Sequence, residues 1–364
     1  MSVPEVRSDG DVVPELGSVA PVADPSRAAR RPSRPTIEDV ARLAGVSRGT
    51  VSRAINGGRN VRPAVLESVN DAIAALGYTV NQAARNLARG RTGSVAFVIS
   101  ERQEHLFEDP NWGVFVKVFS RELRPLGRHL LVTTAQDRSE EQLLGDYLTA
   151  GHVDGVLLAL PYDDEPLLAR LVASQLPTVV LGRPLGWEAA FSWVMIDEEE
   201  AAFEIVAHLV RSGRRRTATV TGPLDTSSGQ GRLAGYRRAL GMGYDPALVA
   251  HGDWSMQSGR LGAEQLLERG AEFDALFVGS DHMAIGAMQA LREAGRRVPA
   301  DVAVAGFDDS VAALMADPPL TTVRNPFEET AVEAVRILDD LMAGRGSGRR
   351  HVVLPTELVV RAST

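Results

Sequence analysis

Residues 36–56 read Thr36-Ile-Glu-Asp-Val-Ala-Arg-Leu-Ala-Gly-Val-Ser47-Arg-Gly-Thr-Val-Ser-Arg-Ala-Ile-Asn56. Thr36 is placed to cap a helix, with Asp39 three residues on as an acidic capping box, and Ile37, Val40, Ala41 and Ala44 share one face. Gly45 ends that helix. Ser47 then caps a second one, with Val46 and Val51 spaced as a hydrophobic staple. A third helix starts with Pro63 in its first turn, buries Leu66, Val69, Ile73 and Leu76, and closes at Gly77. Helix, tight glycine turn, helix is the helix-turn-helix arrangement. Val51 and Ile55 face the small core, which leaves Arg48, Gly49, Ser52 and Arg53 outward. The planar fork of arginine can bond guanine O6 and N7 together. The competing reading is a three-helix bundle whose arginines are merely solvated.

Charge argues for the first reading. From Arg30 to Arg91 there are eleven arginines against Glu38, Asp39, Glu67 and Asp71, a surplus of seven positive charges, so with the whole chain at −8 the remainder carries −15. A basic module on an acidic body favours a polyanionic partner.

Outward from this module, the 364 residues suit two or three domains. With 44% hydrophobic and 24% charged residues, neither wholesale disorder nor a fibrous protein is expected. No apolar run approaches the roughly 20 residues that span a bilayer, and the acidic N-terminus has no secretory pattern. A cytoplasmic protein with no membrane partner is therefore expected. The absence of cysteine excludes disulfides and thiolate chemistry. Lys117, the sole lysine, lies between Val116 and Val118, so no P-loop is present.

Residues 1–34, rich in proline, alanine and charge, are expected to be a disordered tail. Residues 35–80 hold the helix-turn-helix module, 81–92 a short polar helix and linker, and 93–364 the body. In the body, strand-like runs (Ser94–Ser100, His129–Ala135, Gly155–Leu160, Thr178–Gly182, Val194–Ile196, Thr217–Thr221, Ala275–Gly279, Val302–Phe307) alternate with helical patterns. The helical patterns cover Trp112–Leu126, Glu140–Ala150, Glu198–Ser212, Gly231–Leu240, Ser258–Glu268 and Asp281–Glu293. That alternation predicts an α/β body of parallel sheets covered on both faces, and the number of strands suits two sheets.

The quoted stretch, with Leu76-Gly-Tyr78, Asn81, Ala84-Arg85, Leu87, Gly252-Asp-Trp-Ser255, Asp281-His-Met-Ala-Ile-Gly-Ala-Met288 and the ending Leu354-Pro-Thr-Glu-Leu-Val-Val-Arg-Ala-Ser-Thr364, resembles the LacI (lactose repressor-like) family of bacterial transcription regulators. The resemblance runs from Thr36 to Thr364. It implies a sequence-specific repressor of carbohydrate-related genes, with no enzyme activity and no cofactor or metal. The implied partners are double-stranded operator DNA, a second copy of the chain in a homodimer, and a small sugar-like effector held between two lobes of periplasmic-binding-protein type. By the same resemblance Arg48, Gly49 and Arg53 read bases, Thr50 and Ser52 hold phosphates, and Asn56 joins the DNA-contacting set. Asn81–Ala88 corresponds to a hinge helix in which Leu87, flanked by Ala84 and Ala88, wedges into the minor groove. The third helix departs from the family pattern: Arg62-Pro63-Ala-Val stands where a Ser-Pro start with Thr-Arg following is usual, so a hydroxyl cap and a phosphate-binding hydroxyl are missing.

The resemblance also places Asn111, Trp112, Asp163, Arg232, Trp254, Ser280 and Asp308 against the effector. The chemistry suits a polyol, with arginine and aspartate for vicinal hydroxyls and an aromatic face for the C–H face of a sugar. For Trp254 the plainer alternative is a core aromatic, and Asp281 is read as a helix N-cap. Two rival functions are a transport-type sugar-binding protein and a nucleotide-dependent oxidoreductase. The first is opposed by the helix-turn-helix and the missing secretory signal. The second rests on Gly229-Gln-Gly231-Arg-Leu-Ala234, a G-x-G-x-x-A string between strand and helix. The histidines show no H-E-x-x-H spacing.

Overall fold

The computed structural model describes residues 35–55, 61–78, 91–100, 109–135, 137–159, 166–346 and 348–364. The chain divides into two compact units, Met1–Arg85 and Asn86–Thr364. The expected tail and most of the expected hinge, Asn81–Ala88 included, lie outside the described residues.

The first unit holds α1 (Ile37–Leu43), α2 (Arg48–Ile55) and α3 (Pro63–Leu76). Its local chemistry is the one expected. The Thr36 hydroxyl accepts from the Asp39 N–H while the Asp39 carboxylate accepts from the Thr36 N–H, a complete capping box. Gly45 takes the left-handed conformation after α1, the Thr50 N–H donates to Ser47 Oγ, and Gly77 closes α3. Val40, Ala41, Val51, Ala54, Val69 and Ala72 form the buried core. Leu66, Ile73, Leu76 and Ile55, expected inside, pack at its margin half-buried. A core of three short helices closes around small residues, because large ones cannot be covered from all sides.

The second unit has two lobes. In the first lobe, β1 (Ser94–Ser100), β2 (His129–Ala135), β3 (Gly155–Ala159), β4 (Thr178–Leu181), β5 (Ser192–Ile196) and β11 (His351–Leu354) form one parallel sheet, in the order β11-β5-β4-β3-β1-β2. In the second lobe, β6 (Thr217–Thr221), β7 (Val249–His251), β8 (Ala275–Val278) and β9 (Ala303–Ala305) form a parallel sheet in the order β7-β6-β8-β9. β10 (Thr322–Arg324) and β12 (Glu357–Val359) make an antiparallel ribbon. The helices are α4 (Asn111–Leu123), α5 (Arg138–Tyr147), α6 (Pro166–Ser174), α7 (Glu198–Arg211), α8 (Ser227–Leu240), α9 (Met256–Glu268), α10 (Asp281–Glu293), α11 (Val311–Met315) and α12 (Phe327–Met342). The chain crosses between the lobes three times, after β5, after β10 and after β11.

Helices α7 and α8 lie against each other at glycine contacts. A Cβ on Gly235 would strike the Glu199 carbonyl and Ala202, and one on Gly231 would strike Glu198. Gly229 sits against the Pro223 carbonyl, its N–H bonded to Thr226 Oγ1. The glycines of the G-x-G-x-x-A string are therefore filled by the protein's own packing, which removes the support for a dinucleotide site.

Asp281 is not the cap of α10. Ser280 is, its hydroxyl accepting from the Met283 N–H. Asp281 is instead fully buried, accepting from Thr322 Oγ1 at 2.6 Å and from the Ser310 N–H at 2.8 Å, and it fastens the loop after β9 and strand β10 to α10. Burial pushes its carboxyl up to about 7, against the pull of those two hydrogen bonds. The native state thus keeps a proton that the unfolded chain releases near its ordinary value of about 4, so this group's contribution to stability is full below pH 4 and declines as pH rises toward 7. Asp281→Asn is expected to flatten that part of the stability–pH curve, while the loss of one accepting oxygen lowers the overall level. Urea melts between pH 4 and 8 would reveal an unchanged slope if the group titrates normally.

Candidate functional site

On the first unit, α2 presents Arg48, Gly49 and Arg53 exposed, with Thr50 and Ser52 half-buried. Arg48 Nε lies 3.3 Å from Glu38 Oε1 on α1, and Arg53 Nε donates to the Gly49 carbonyl at 3.2 Å. Thr50 Oγ1 and Ser47 Oγ share a hydrogen bond at 3.0 Å. Two exposed guanidinium groups thus stand at the first and second turns of α2. Arg62 precedes α3 without a side-chain cap, as the missing hydroxyl implies. Asn56, Asn81, Ala84, Leu87 and Ala88 lie outside the described residues.

The second unit carries a cleft that opens to solvent and is lined by polar and aromatic side chains. Asn111, Trp112, Arg232, Trp254, Ser280 and Asp308 all line it, while Asp163 lies outside the described residues. Parallel strands explain the convergence. Each of these residues stands just after a strand or at the start of the helix that follows it, and in a parallel sheet all such ends point the same way. Trp254 follows β7, Ser280 follows β8, Asp308 follows β9 and Arg232 lies in the second turn of α8 after β6.

Arg232 is the buried centre. Its Nε donates to Glu198 Oε2 at 2.8 Å, its Nη1 to the Gly279 carbonyl and its Nη2 to Asp308 Oδ1 at 3.4 Å, while its guanidinium carbon sits 3.7 Å from the Phe307 ring centroid. Burial works against its charge, but Glu198 and Asp308 outweigh burial and hold Arg232 ionised. Burial lifts Asp308 well above the usual carboxylate range, with Arg232 pulling the other way. Asn325 Nδ2 adds a hydrogen bond to Asp308 Oδ1 at 3.2 Å. Arg232, expected to donate to ligand hydroxyls, lines the cleft and is also shared by two carboxylates and a carbonyl.

Two aromatic walls face this centre. In the first lobe Trp112, Phe115 and Phe327 cluster, with Phe115 and Phe327 edge to face at 5.5 Å and Trp112 6.0 Å from Phe115. In the second lobe Trp254 has φ +76, a conformation rarely tolerated by a bulky residue. Its ring fits over Gly222, where any Cβ would collide with the indole. It also packs on the lobe's core, so the plainer reading of Trp254 holds in part. Its Nε1 is buried with no hydrogen-bond partner among the described residues, which leaves a donor whose desolvation an acceptor would offset.

Asp109, Glu198, Asp253, His282 and Asn325 also line the cleft and were missed in the sequence. A usable signal existed. Each lies just past the end of a strand or at the start of the next helix, and polar residues there are the ones a parallel sheet delivers to its ligand edge. Among the described residues no group of three histidines, aspartates or glutamates is set to hold a metal ion.

A helix-turn-helix unit followed by a two-lobed α/β unit with a polar, aromatic-walled cleft defines a ligand-responsive DNA-binding regulator. The family described as "Bacterial regulatory proteins, lacI family" matches residues 36–81, and the "Periplasmic binding protein-like domain" matches residues 206–364. The HTH-type transcriptional regulator CelR of Thermobifida fusca is 44% identical over 337 residues, covering 92% of this chain and 99% of that one. A solved transcriptional regulator CelR–cellobiose complex is 43% identical with a TM-score of 0.73, covering 91% of this chain and 100% of that one. The lac repressor dimer bound to operator and the anti-inducer ONPF is 30% identical with a TM-score of 0.80, covering 90% and 98%. The chain belongs to the lacI family of bacterial regulatory proteins, whose members are transcriptional regulators and not enzymes.

The buried ion cluster changes what a substitution at Arg232 should do. Arg232→Ala leaves Glu198 and Asp308 buried without their counter-charge, a situation that typically costs about 3–5 kcal/mol. Thermal denaturation of Arg232→Ala is therefore expected to show a large drop in midpoint. Trp254→Phe, which keeps an aromatic face but loses the indole N–H and part of the ring over Gly222, should lower the melting point less than Arg232→Ala and bind ligand more weakly by calorimetry.

Proposed function

We propose that this chain is a cytoplasmic, homodimeric repressor of carbohydrate-related genes, whose affinity for operator DNA is changed by a sugar bound between the two lobes of the second unit. The observation that carries the DNA half is the exposed pair Arg48 and Arg53 on α2, in a stretch with seven surplus positive charges. In this reading Arg48, Gly49 and Arg53 face base edges, Thr50 and Ser52 hold phosphates, Asn56 belongs to the same DNA-contacting set, and Leu87, with Asn81, Ala84 and Ala88 beside it, enters the minor groove. A homodimer follows from the need to meet two half-sites, and the operator-bound lac repressor dimer supports it. No helix among the described residues is long and apolar enough to cross a membrane, which agrees with a cytoplasmic regulator.

The cleft half rests on Trp112 and Trp254 on opposite walls around Asn111, Arg232, Ser280 and Asp308. Asp163 is proposed as a further ligand contact on the family pattern alone. Aromatic faces stack on the C–H faces of pyranose rings, while the amide, hydroxyl and charged groups meet hydroxyls. The CelR–cellobiose complex makes cellobiose the natural first probe. The coupling is reciprocal linkage: a ligand that prefers one arrangement of the lobes shifts operator affinity, and operator shifts ligand affinity by the same factor.

Operator binding measured by fluorescence anisotropy, with and without cellobiose, tests both halves. Affinity should fall steeply between about 50 and 200 mM salt, as expected when several arginines displace phosphate counterions. Arg48→Ala and Arg53→Ala should each relax preference at one position of the half-site, costing about 1–3 kcal/mol against the preferred base. A flat salt dependence would remove the DNA reading, and uniform weakening on all sequences would reassign that arginine to the phosphates.

A further inference from the structure

Several features of the cleft would ordinarily attract an anion, and those at α4, α9, α10 and Arg232 are already met by a side-chain carboxyl or hydroxyl group. Helix N-termini carry partial positive charge and free N–H groups. The N-terminus of α4 is met by Asp109, whose Oδ1 accepts from the Asn111 N–H at 2.9 Å. Ahead of α9, Asp253 Oδ1 accepts from the Ser255 N–H at 2.9 Å, and Ser255 Oγ accepts from the Ser258 N–H at 3.0 Å. α10 is capped by the Ser280 hydroxyl and begins with the buried Asp281. Arg232 is held between Glu198 and Asp308.

Among the described lining residues, four carboxyl groups (Asp109, Glu198, Asp253 and Asp308) thus stand around one arginine and His282. Burial raises Asp109 and Asp308 above the usual carboxylate range, favouring their neutral acid forms. An anion brought here would give up its hydration and find the one arginine already matched by Glu198 and Asp308, so no free counter-charge would offset that loss. Nothing comparable opposes an uncharged polyol, whose hydroxyls donate to these carboxylates and whose C–H faces lie between Trp112 and Trp254.

Resting on the sugar-cleft reading above, we propose that the cleft selects an uncharged sugar and rejects its phosphorylated or carboxylated forms. The chain then reports a sugar before phosphoryl transfer. The ligand is supplied by reactions that leave it uncharged, such as glycosidic hydrolysis, and phosphorylation or oxidation to the acid removes it from the pool that is sensed.

The test is calorimetric titration of the full chain with cellobiose, cellobiose 6-phosphate and cellobionate, repeated on Asp109→Asn and Asp253→Asn. The expected result is binding of cellobiose, with both anions weaker by roughly a hundredfold or more. The ratio of neutral to anionic affinity should shrink in each variant, and because that ratio is taken within one protein, a general loss of affinity cancels. Either anion binding as tightly as cellobiose, or an unchanged ratio in both variants, overturns the charge selection while leaving the sugar cleft standing. Binding of none of the three, repeated with a panel of neutral disaccharides and their 6-phosphates, overturns the sugar cleft and this inference with it.

Discussion

The ion cluster of Arg232, Glu198 and Asp308 is the constraint around which the second unit is organised. A buried guanidinium is tolerated only when its charge and its N–H groups are matched, and here the matching groups come from different parts of the chain. Glu198 opens α7, directly after the first crossover between lobes, and Asp308 follows β9. Asn325, on the second crossover, donates to the same Asp308 oxygen that Arg232 reaches. Two of the three lobe-to-lobe connections therefore end on the partners of one side chain.

The backbone around Asp308 shows how firmly that arrangement is imposed. Asp308 and Asp309 have φ +110 and +54, both costly for non-glycine residues. Their surroundings hold them there. The Asp308 N–H donates to the Val323 carbonyl at 2.8 Å, Arg324 Nε donates to Asp309 Oδ2 at 2.9 Å, and Arg361 bonds the other Asp309 oxygen. Asp281 ties the next residues, through Ser310 and Thr322, to the start of α10. Strain of this kind, held by several bonds at once, keeps the floor of a ligand cleft fixed while the lobes on either side retain their own cores.

A cleft built from carboxyl ends of parallel strands inherits helix N-termini, and these would make it a phosphate site by default. At α4, α9 and α10 this chain meets them with its own acid or hydroxyl. The same local devices that cap helices thereby place acids and hydroxyls around a cleft that Trp112 and Trp254 also line. A ligand bridging both lobes favours one relation between them, which is the differential affinity that any switch of this kind requires.

The three helices of the first unit and their caps were legible because those signals are local, whereas the half-burial of Ile55, Leu66, Ile73 and Leu76 was not. Thr36 with Asp39, Gly45, Ser47 and Pro63 act within four residues of themselves, and no distant partner can override them cheaply. The alternation of strands and helices from Ser94 to Phe307 was likewise carried by periodicity and gave the parallel α/β body, with six expected cleft residues at its strand ends. Strands β7, β10, β11 and β12 and helices α6, α11 and α12 were not foreseen. The four strands are only three or four residues long, and β11 exists because it pairs with β5, some 160 residues earlier in the chain. Trp254 carried both of its sequence readings into the structure, packed on the core and lining the cleft. Only the tertiary structure decided that Arg232 meets Glu198 and Asp308, 34 and 76 residues away, and that Asp281 is buried rather than capping. Pairing of charges at such separations leaves no period or spacing in a sequence, because it is fixed by which strand ends the sheets bring together.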